Sequence, residues 1–371
     1  MMMRGFSPLL LAASTGLAVL LCLVSSLSSV PQAAAAAAAA AAAYAPAPAR
    51  LRGLLEAAAD PSSGSPLILP CCYDGLTARL VARAGFDATF LTGFGASASR
   101  GYPDTQLLSY GEMLEACRAV AEGLAGAASE GSGAGAGAAG GGSGPVPLPP
   151  IPCIADGDTG YGNAVNARRT VQGYARAGMG GVMIEDQVAP KRCGHVAGKA
   201  VVPFTEAVTR VRAACDARDE FEAQNGPGTG PLILARTDAL GTDGFEAAID
   251  RCLAFREAGC DMTFLEAPRT LEQMEEYCRR VDGPKLANML EHGATPVLPP
   301  TELKKMGYTM AAYPLTLLSA SIRAMRESLE LLKRGEPTEA MILSFADTKD
   351  AVGFTQYSEL EGRYKVQDEN S

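Results

Sequence analysis

Apolar runs of six or seven residues recur along most of the chain: "PLILPCC" (66–72), "DATFLTG" (87–93), "IPCIAD" (151–156), "GVMIED" (181–186), "LILARTD" (232–238), "MTFLEAP" (262–268), "KLANML" (285–290) and "TMAAYP" (309–314). Each is short and rich in β-formers, the signature of a strand. Between them, apolar residues fall at helical spacing and the segment often closes on glycine, as in "GLTARLVARAG", "NARRTVQGYARAG" and "GFEAAIDRCLAFREAG". Near-continuous apolar strands need cover on both faces. Eight βα units therefore predict an α/β fold, a parallel (β/α)8 TIM-type barrel, with an open doubly wound sheet as the competing architecture.

A barrel sorts its loops by role, because the C-terminal ends of the strands face the usual active-site mouth. Strands two to seven end in Thr92 and Gly93, Asp156 and Asp158, Glu185 and Asp186, Arg236 and Asp238, Glu266, and Asn288. A purely structural barrel does not need that arrangement. Asp156 and Asp158 lie two residues apart in the glycine-rich turn "ADGDTGYG" and can reach one hard cation. Mg²⁺ keeps several waters and needs few protein ligands. Glu185 and the loop acid Asp104 of "GYPDTQ" extend the set. An EF-hand is excluded: counting from Asp156, the sixth position is Tyr161 rather than glycine and the twelfth is Ala167 rather than glutamate.

The fourth strand leads into "KRCGH". Lys191, Arg192 and His195 surround Cys193 with cations, which favours the thiolate and makes the sulfur a usable acid or base. Gly194 lets the loop bend over a ligand. Arg236 offers a planar fork to a carboxylate or phosphate, or a salt bridge to Glu185.

Two stretches break the βα rhythm. The first 50 residues place one arginine ahead of an apolar run and then an alanine tract from Ala33 to Ala43, the plan of a targeting leader with a spacer; a membrane anchor is the alternative. A reduced catalytic thiol suits a plastid better than the secretory route. Residues 51–371 are expected to form one barrel domain, with a low-complexity Gly/Ala loop at 122–150 and a C-terminal extension at 337–371. The Gly/Ala loop precedes the third strand and so falls on the rim away from the mouth. A net charge of -9 without a basic run argues against a nucleic-acid partner. Ten cysteines without a CxxC pair give no zinc framework.

The blocks "FLTGFGASASRGYPD", "IADGDTGYGN", "IEDQVAPKRCGH", "LARTDA", "FLEAP" and "NMLEHGATP", in this order and spacing, resemble the isocitrate lyase and phosphoenolpyruvate mutase superfamily from about Leu67 to Lys333. Within it the chain is similar to the methylisocitrate lyase, dimethylmalate lyase and petal-death branch, and to plant plastid proteins named carboxyvinyl-carboxyphosphonate phosphorylmutase. The resemblance implies a lyase that cleaves a C–C bond of a 2-hydroxy or 2-oxo dicarboxylate. It implies Mg²⁺, or alternatively Mn²⁺, on Asp156 and Asp158 with Asp104 and Glu185 acting largely through waters. Thr92, Gly93 and Phe94 would hold the carboxylate of a 2-oxo-acid moiety and Arg236 would clamp a substrate carboxylate. Glu266 and Asn288 would contact the other end, with Phe94 and Leu265 against the substituents. Cys193 would protonate the enolate-like product from a gating loop of Lys191, Arg192, Cys193, Gly194 and His195.

The resemblance further implies a homotetramer with a C-terminal helix swapped between barrels, and no membrane partner for the mature chain. Two departures stand out. Many relatives have serine and glycine where this chain has Thr92 and Phe94. Phosphoryl mutases of the group usually have Asn-Ser where it has Cys193-Gly194, which favours C–C over P–C chemistry. A phosphonomutase or an oxaloacetate hydrolase on the same scaffold, and a noncatalytic carboxylate-binding barrel, are the rival readings.

Overall fold

The computed structural model describes residues 44–130, 149–194 and 198–365. All eight expected strands form and all are parallel: β1 (Leu67–Cys72), β2 (Thr89–Leu91), β3 (Cys153–Asp156), β4 (Gly181–Glu185), β5 (Leu232–Thr237), β6 (Met262–Leu265), β7 (Leu286–Asn288) and β8 (Met310–Tyr313). They follow the order β6-β5-β4-β3-β2-β1-β8-β7, and a bridge between Thr263 and Lys285 draws β6 toward β7. The ring is a nearly closed (β/α)8 barrel, not an open sheet.

The helices in chain order are α1 (Ala47–Ala59), α2 (Gly75–Arg83), α3 (Gly93–Ser99), α4 (Tyr110–Glu130), α5 (Ala164–Arg176), α6 (Phe204–Asn225), α7 (Phe245–Glu257), α8 (Leu271–Arg280), α9 (Pro300–Met306) and α10 (Thr316–Arg334), followed by α11 (Phe345–Ala351) and α12 (Phe354–Arg363). Local chemistry sets several boundaries. Asp74 and Asn163 start α2 and α5 as capping boxes, each side chain accepting backbone N–H groups of the first turn. Gly307 and Gly335 stop α9 and α10 in the left-handed region, at φ 106° and 68°. Helix α4 runs to Glu130, into the low-complexity stretch expected as loop from residue 122; residues 131–148 and the leader up to residue 43 lie outside the described residues.

Strand alternation builds two cores. Leu69, Phe90, Ile154, Met183, Leu234, Phe264, Leu286 and Met310 pack inside the barrel. Their neighbours Leu91, Ala155, Val182, Ile233 and Leu265 turn outward into helix-covered clusters. The same parity fixes what comes next: two residues beyond Phe90, Ile154, Met183, Leu234, Phe264 and Leu286 stand Thr92, Asp156, Glu185, Arg236, Glu266 and Asn288. The apolar interior thus ends in a polar layer at the mouth.

The other end of the barrel is closed by α1, which extends across the expected domain start at residue 51. Its Leu51, Leu55 and Ala58 belong to the interior cluster. Arg52 pairs with Asp261 ahead of β6 at 2.8 Å, and Lys304 donates to the carbonyls of Ala58 and Asp60. Leu51 is fully buried. Leu51→Ala should cost about 2–5 kcal/mol in denaturant unfolding, because it opens a cavity in a floor with no slack; a loss no larger than a surface substitution gives would show that α1 is not part of the fold.

Candidate active site

The polar layer at the mouth is almost entirely buried: Asp104, Asp156, Asp158, Glu185, Arg236, Asp238 and Glu266 are each 9% exposed or less. Two ion clusters divide it. In the first, the Lys191 ammonium lies 2.8 Å from Asp104 Oδ1, 2.8 Å from Asp158 Oδ1 and 3.9 Å from Asp156 Oδ2. Burial alone would depress this ammonium, but Asp158, Asp156, Asp104 and Glu185 outweigh it and hold its pKa well above the usual lysine range. The lysine expected to act on Cys193 is therefore engaged by the acids instead. Asp156 is held by the N–H of Gly93 at 3.2 Å on one oxygen and by the N–H of Asp158 at 2.9 Å on the other.

In the second cluster Arg236 lies against Asp238 (Nε to Oδ2 2.8 Å, Nη2 to Oδ1 3.1 Å), with Glu266 at 3.0 Å and Glu185 at 3.4 Å. Asn288 Nδ2 donates to Glu266 Oε1 at 3.4 Å. Arg236 thus makes the expected ion pair with Glu185 while also lining a cavity at the mouth. Asp186 serves the scaffold: it accepts from Thr237 Oγ1, the Asp238 N–H and Arg251 at 2.7, 2.9 and 3.1 Å.

The donor chemistry, buried carboxylate oxygens, is that of a hard divalent cation, although among the described residues no three of these acids converge as a ready-made cluster and Lys191 stands between Asp104 and Asp158. Both carboxylate oxygens of Glu185 and Oδ1 of Asp158 are buried without a hydrogen-bond donor, the Lys191 ammonium being out of line for one on Asp158. Burial pushes Asp158 up to about 6, with Asp156 and Asp104 adding to it and Lys191 opposing it; burial likewise raises Glu185 well above the carboxylate range. Lys191 faces Asp158 at 2.8 Å and Arg236 faces Glu185 at 3.4 Å, yet burial outweighs both cations, so a further positive charge bound on these oxygens would lower both groups. Asp104, Asp156, Asp158 and Glu185 are the residues that could hold such an ion.

Between the clusters a small cavity encloses about 60 Å³, with Thr92, Asp156, Arg236 and Asn288 as its polar wall and Phe90, Phe264, Leu286 and Pro314 among its apolar ones. Phe94 and Leu265 do not line it. Phe264 takes the inward position on β6, and parity sends Leu265 to the outer core. Thr92 stands at the N-terminal boundary of the short helix α3 without a side-chain capping bond, and Gly93 packs so closely on Asp156 that a Cβ would sit 2.5 Å from its Oδ2.

The loop after β4 folds down onto this site. Cys193 is half-buried, Arg192 is exposed and Gly194 is buried; His195 lies outside the described residues. A Cβ on Gly194 would meet Arg236 Nη2 at 2.5 Å and Glu266 Cδ at 2.6 Å. Cys193 is the residue beside this contact. Three partners not foreseen from the sequence hold the loop: Gln106, whose Oε1 accepts the Lys191 N–H at 3.1 Å; Gln187, which exchanges two hydrogen bonds with the backbone of Arg192 at 2.9 and 3.0 Å; and Lys199. All lie within or next to the motif blocks, which is the signal that could have found them. Gln106, Asp158 and Ala267 adopt positive φ values of 55°, 47° and 58°, a strain of roughly 1–3 kcal/mol each that surrounding contacts must hold.

A parallel barrel with a carboxylate cluster, an arginine clamp and a thiol-bearing loop at its mouth defines an enzyme acting on small carboxylates. The family model described as phosphoenolpyruvate phosphomutase matches residues 61–333, and the chain belongs to the phosphoenolpyruvate mutase and isocitrate lyase superfamily. It is 36% identical over 320 residues to the 2,3-dimethylmalate lyase of Eubacterium barkeri, covering 85% of this chain and 97% of that one. With the chloroplastic carboxyvinyl-carboxyphosphonate phosphorylmutase of Arabidopsis thaliana it shares 37% identity over 305 residues, 80% of each chain. A crystal structure of 2,3-dimethylmalate lyase superposes with a TM-score of 0.73 at 34% identity, covering 86% of this chain and 95% of that one.

Gly194→Ala tests the loop contact. A methyl group there cannot coexist with Arg236 and Glu266 in place, so kcat/KM is expected to fall about a hundredfold, as for an ångström-scale misplacement of a reacting group. The unfolding free energy should move by no more than ~0.5 kcal/mol. Wild-type turnover would mean that the loop does not close in this manner.

Proposed function

We propose that this enzyme is a Mg²⁺-dependent lyase that splits a C–C bond of a 2-hydroxy dicarboxylate of the dimethylmalate or methylisocitrate kind. The products would be a 2-oxo acid and a second carboxylate. The observation that carries this reading is the seating of Gly194 on Arg236 and Glu266, which brings the neighbouring Cys193 to the edge of the carboxylate clamp. Arg236, oriented by Asp238, offers a substrate carboxylate its Nη1, since Nε and Nη2 are engaged by Asp238, Glu185 and Glu266. Thr92 and Asn288 offer hydrogen bonds from opposite walls of the cavity. Asp156 and Asp158, with Asp104 and Glu185, are the residues that would hold the metal, which when bound would supply positive charge to substrate oxygens.

One of the buried carboxylates of the mouth takes the 2-hydroxyl proton as the O–H electron pair forms the carbonyl of the 2-oxo acid, and the adjacent C–C bond breaks with its electron pair going to the carbon next to a carboxylate, as an enolate-like dianion. The Cys193 thiol is the acid that quenches it, delivering the Sγ proton to that carbon. Phe90, Phe264 and Leu286 keep the cavity dry, which strengthens every charge interaction in it. The Arabidopsis relative's name makes P–C chemistry the second reading; the thiol at residue 193 favours the lyase, because a carbanion needs a proton donor.

Incubating the protein with Mg²⁺ and a panel of 2,3-dimethylmalate, 2-methylisocitrate, citramalate, isocitrate and oxaloacetate should release pyruvate or glyoxylate from one C–C substrate. Chelation should abolish release, and Cys193→Ser should lower it by about 10²–10⁴-fold, the usual contribution of a placed acid. Full turnover by the serine variant would remove Cys193 from the proton transfer. Silence across the panel with intact metal binding would move the reading to phosphonate chemistry or to a binding role.

Two further properties belong to this proposal. We infer that the leader directs the enzyme to a plastid, and that it works as a homotetramer in which α10 and the segments after it pack on a neighbouring barrel. Only Leu318 of α10 is buried, while Met325, Leu329 and Leu332 are more than half exposed, as are Ile342, Leu343 and Phe345 beyond it. Leu329→Glu is expected to yield smaller species in light scattering, whereas unchanged mass would exclude α10 from the interface.

A further inference from the structure

Lys199 is part of no motif, yet its ammonium joins the two halves of the site. Nζ donates to the carbonyl of Gly194 at 2.5 Å and pairs with Asp238 Oδ1 at 2.9 Å. Its side chain is 8% exposed and that of Asp238 is fully buried, so both contacts are shielded from water. Asp238 is the carboxylate that holds Arg236 through two hydrogen bonds, and its own backbone N–H is fixed by Asp186 at 2.9 Å. One cation therefore connects the backbone next to Cys193 with the acid that aims the guanidinium.

We propose that Lys199 is a positioning residue that couples the placement of Cys193 to the Arg236 clamp. Two residues flank the thiol, and each is held by a different side chain: Arg192 by Gln187 and Gly194 by Lys199. Gln187 is braced from behind, since the Arg210 guanidinium donates to the carbonyls of Glu185 and Gln187 at 2.8 and 3.1 Å. Lys199 alone of the two reaches an ion-paired group of the substrate clamp. Its hydrogen bonds are charge-assisted, the strong kind, and removing the ammonium leaves the Gly194 carbonyl without this donor. The role of the coupling in turnover rests on the lyase reading above; the placement of the loop does not.

The test uses the whole protein with Lys199→Met, which keeps most of the aliphatic stem, and Lys199→Arg, which keeps a charged donor; Lys199→Gln replaces the first if it fails to fold. Alkylation of Cys193 by iodoacetamide, followed by peptide mass spectrometry without ligand, reads the loop directly. Measuring it against pH separates access from thiolate content. Lys199→Met should speed alkylation by about ten- to a hundredfold, the worth of a hydrogen bond to a charged group. Lys199→Arg should restore most of the protection. On the substrate found by the panel, kcat should fall by a similar factor while KM moves much less.

Wild-type alkylation in both the methionine and glutamine variants would overturn the proposal, even if their melting temperatures drop. So would an arginine variant as exposed as methionine. If instead Cys193→Ser proves fully active while Lys199→Met still exposes the thiol, the lyase assignment of Cys193 fails and the positioning stands.

Discussion

Negative charge buried at the mouth is the constraint around which the site is organised. Asp104, Asp156, Asp158, Glu185, Asp238 and Glu266 are all removed from water, and the described cations that reach them, Lys191, Arg236 and Lys199, are fewer. Stripping a partner from such a cluster typically costs about 3–5 kcal/mol, so each cation fixes the conformation of the segment that carries it. Lys191 thereby pins the start of the loop after β4, and Arg236 ties the ends of β4, β5 and β6 together. Burial, the largest cause, raises the pKa of Asp158 and Glu185 despite the cations beside them.

The barrel makes that concentration of charge tolerable. A stack of inward apolar side chains forms a rigid floor, and six of the eight strands, β2 to β7, then contribute their next inward residue to the polar layer, while β1 and β8 continue with Cys71 and Ala312. Positions set by strand register are more exact than positions set by loops. Asp104, Asp158, Lys191, Lys199 and the thiol come from the connecting segments proper. Glutamine side chains grip the backbone there and ion pairs tie the lysines down, so the loop-borne parts of the site are the heavily tethered ones.

Much of this was legible from residue order. Short apolar runs alternating with helical ones predict eight strands, and all eight form; the run lengths suffice because a parallel barrel buries both strand faces. The acids at the ends of β3 and β4 and the arginine on β5 could be placed for the same reason. What escaped was set by direction and by distant partners. The sequence locates Leu265 at a strand end but does not say whether it or Phe264 looks inward. It sets Lys191 beside Cys193, whereas in space the ammonium goes to acids from two other loops. Gln106 and Lys199 look like ordinary loop residues, and their nearness to the motif blocks does not say that the first will accept from a backbone N–H 85 positions away or that the second will meet a carboxylate 39 positions away. Helix α1 was masked by its alanine-rich surroundings, which read as a continuation of the leader.

The location of α1 also bears on maturation. Its leucines fill the end of the barrel opposite the mouth, so the compact unit begins at Pro46 and not within the helix. A processing peptidase that trimmed the chain beyond that proline would leave an unplugged barrel with a hydrophobic hole at its base. Packing at the base of the barrel therefore sets a limit on how far the chain could be shortened from this side.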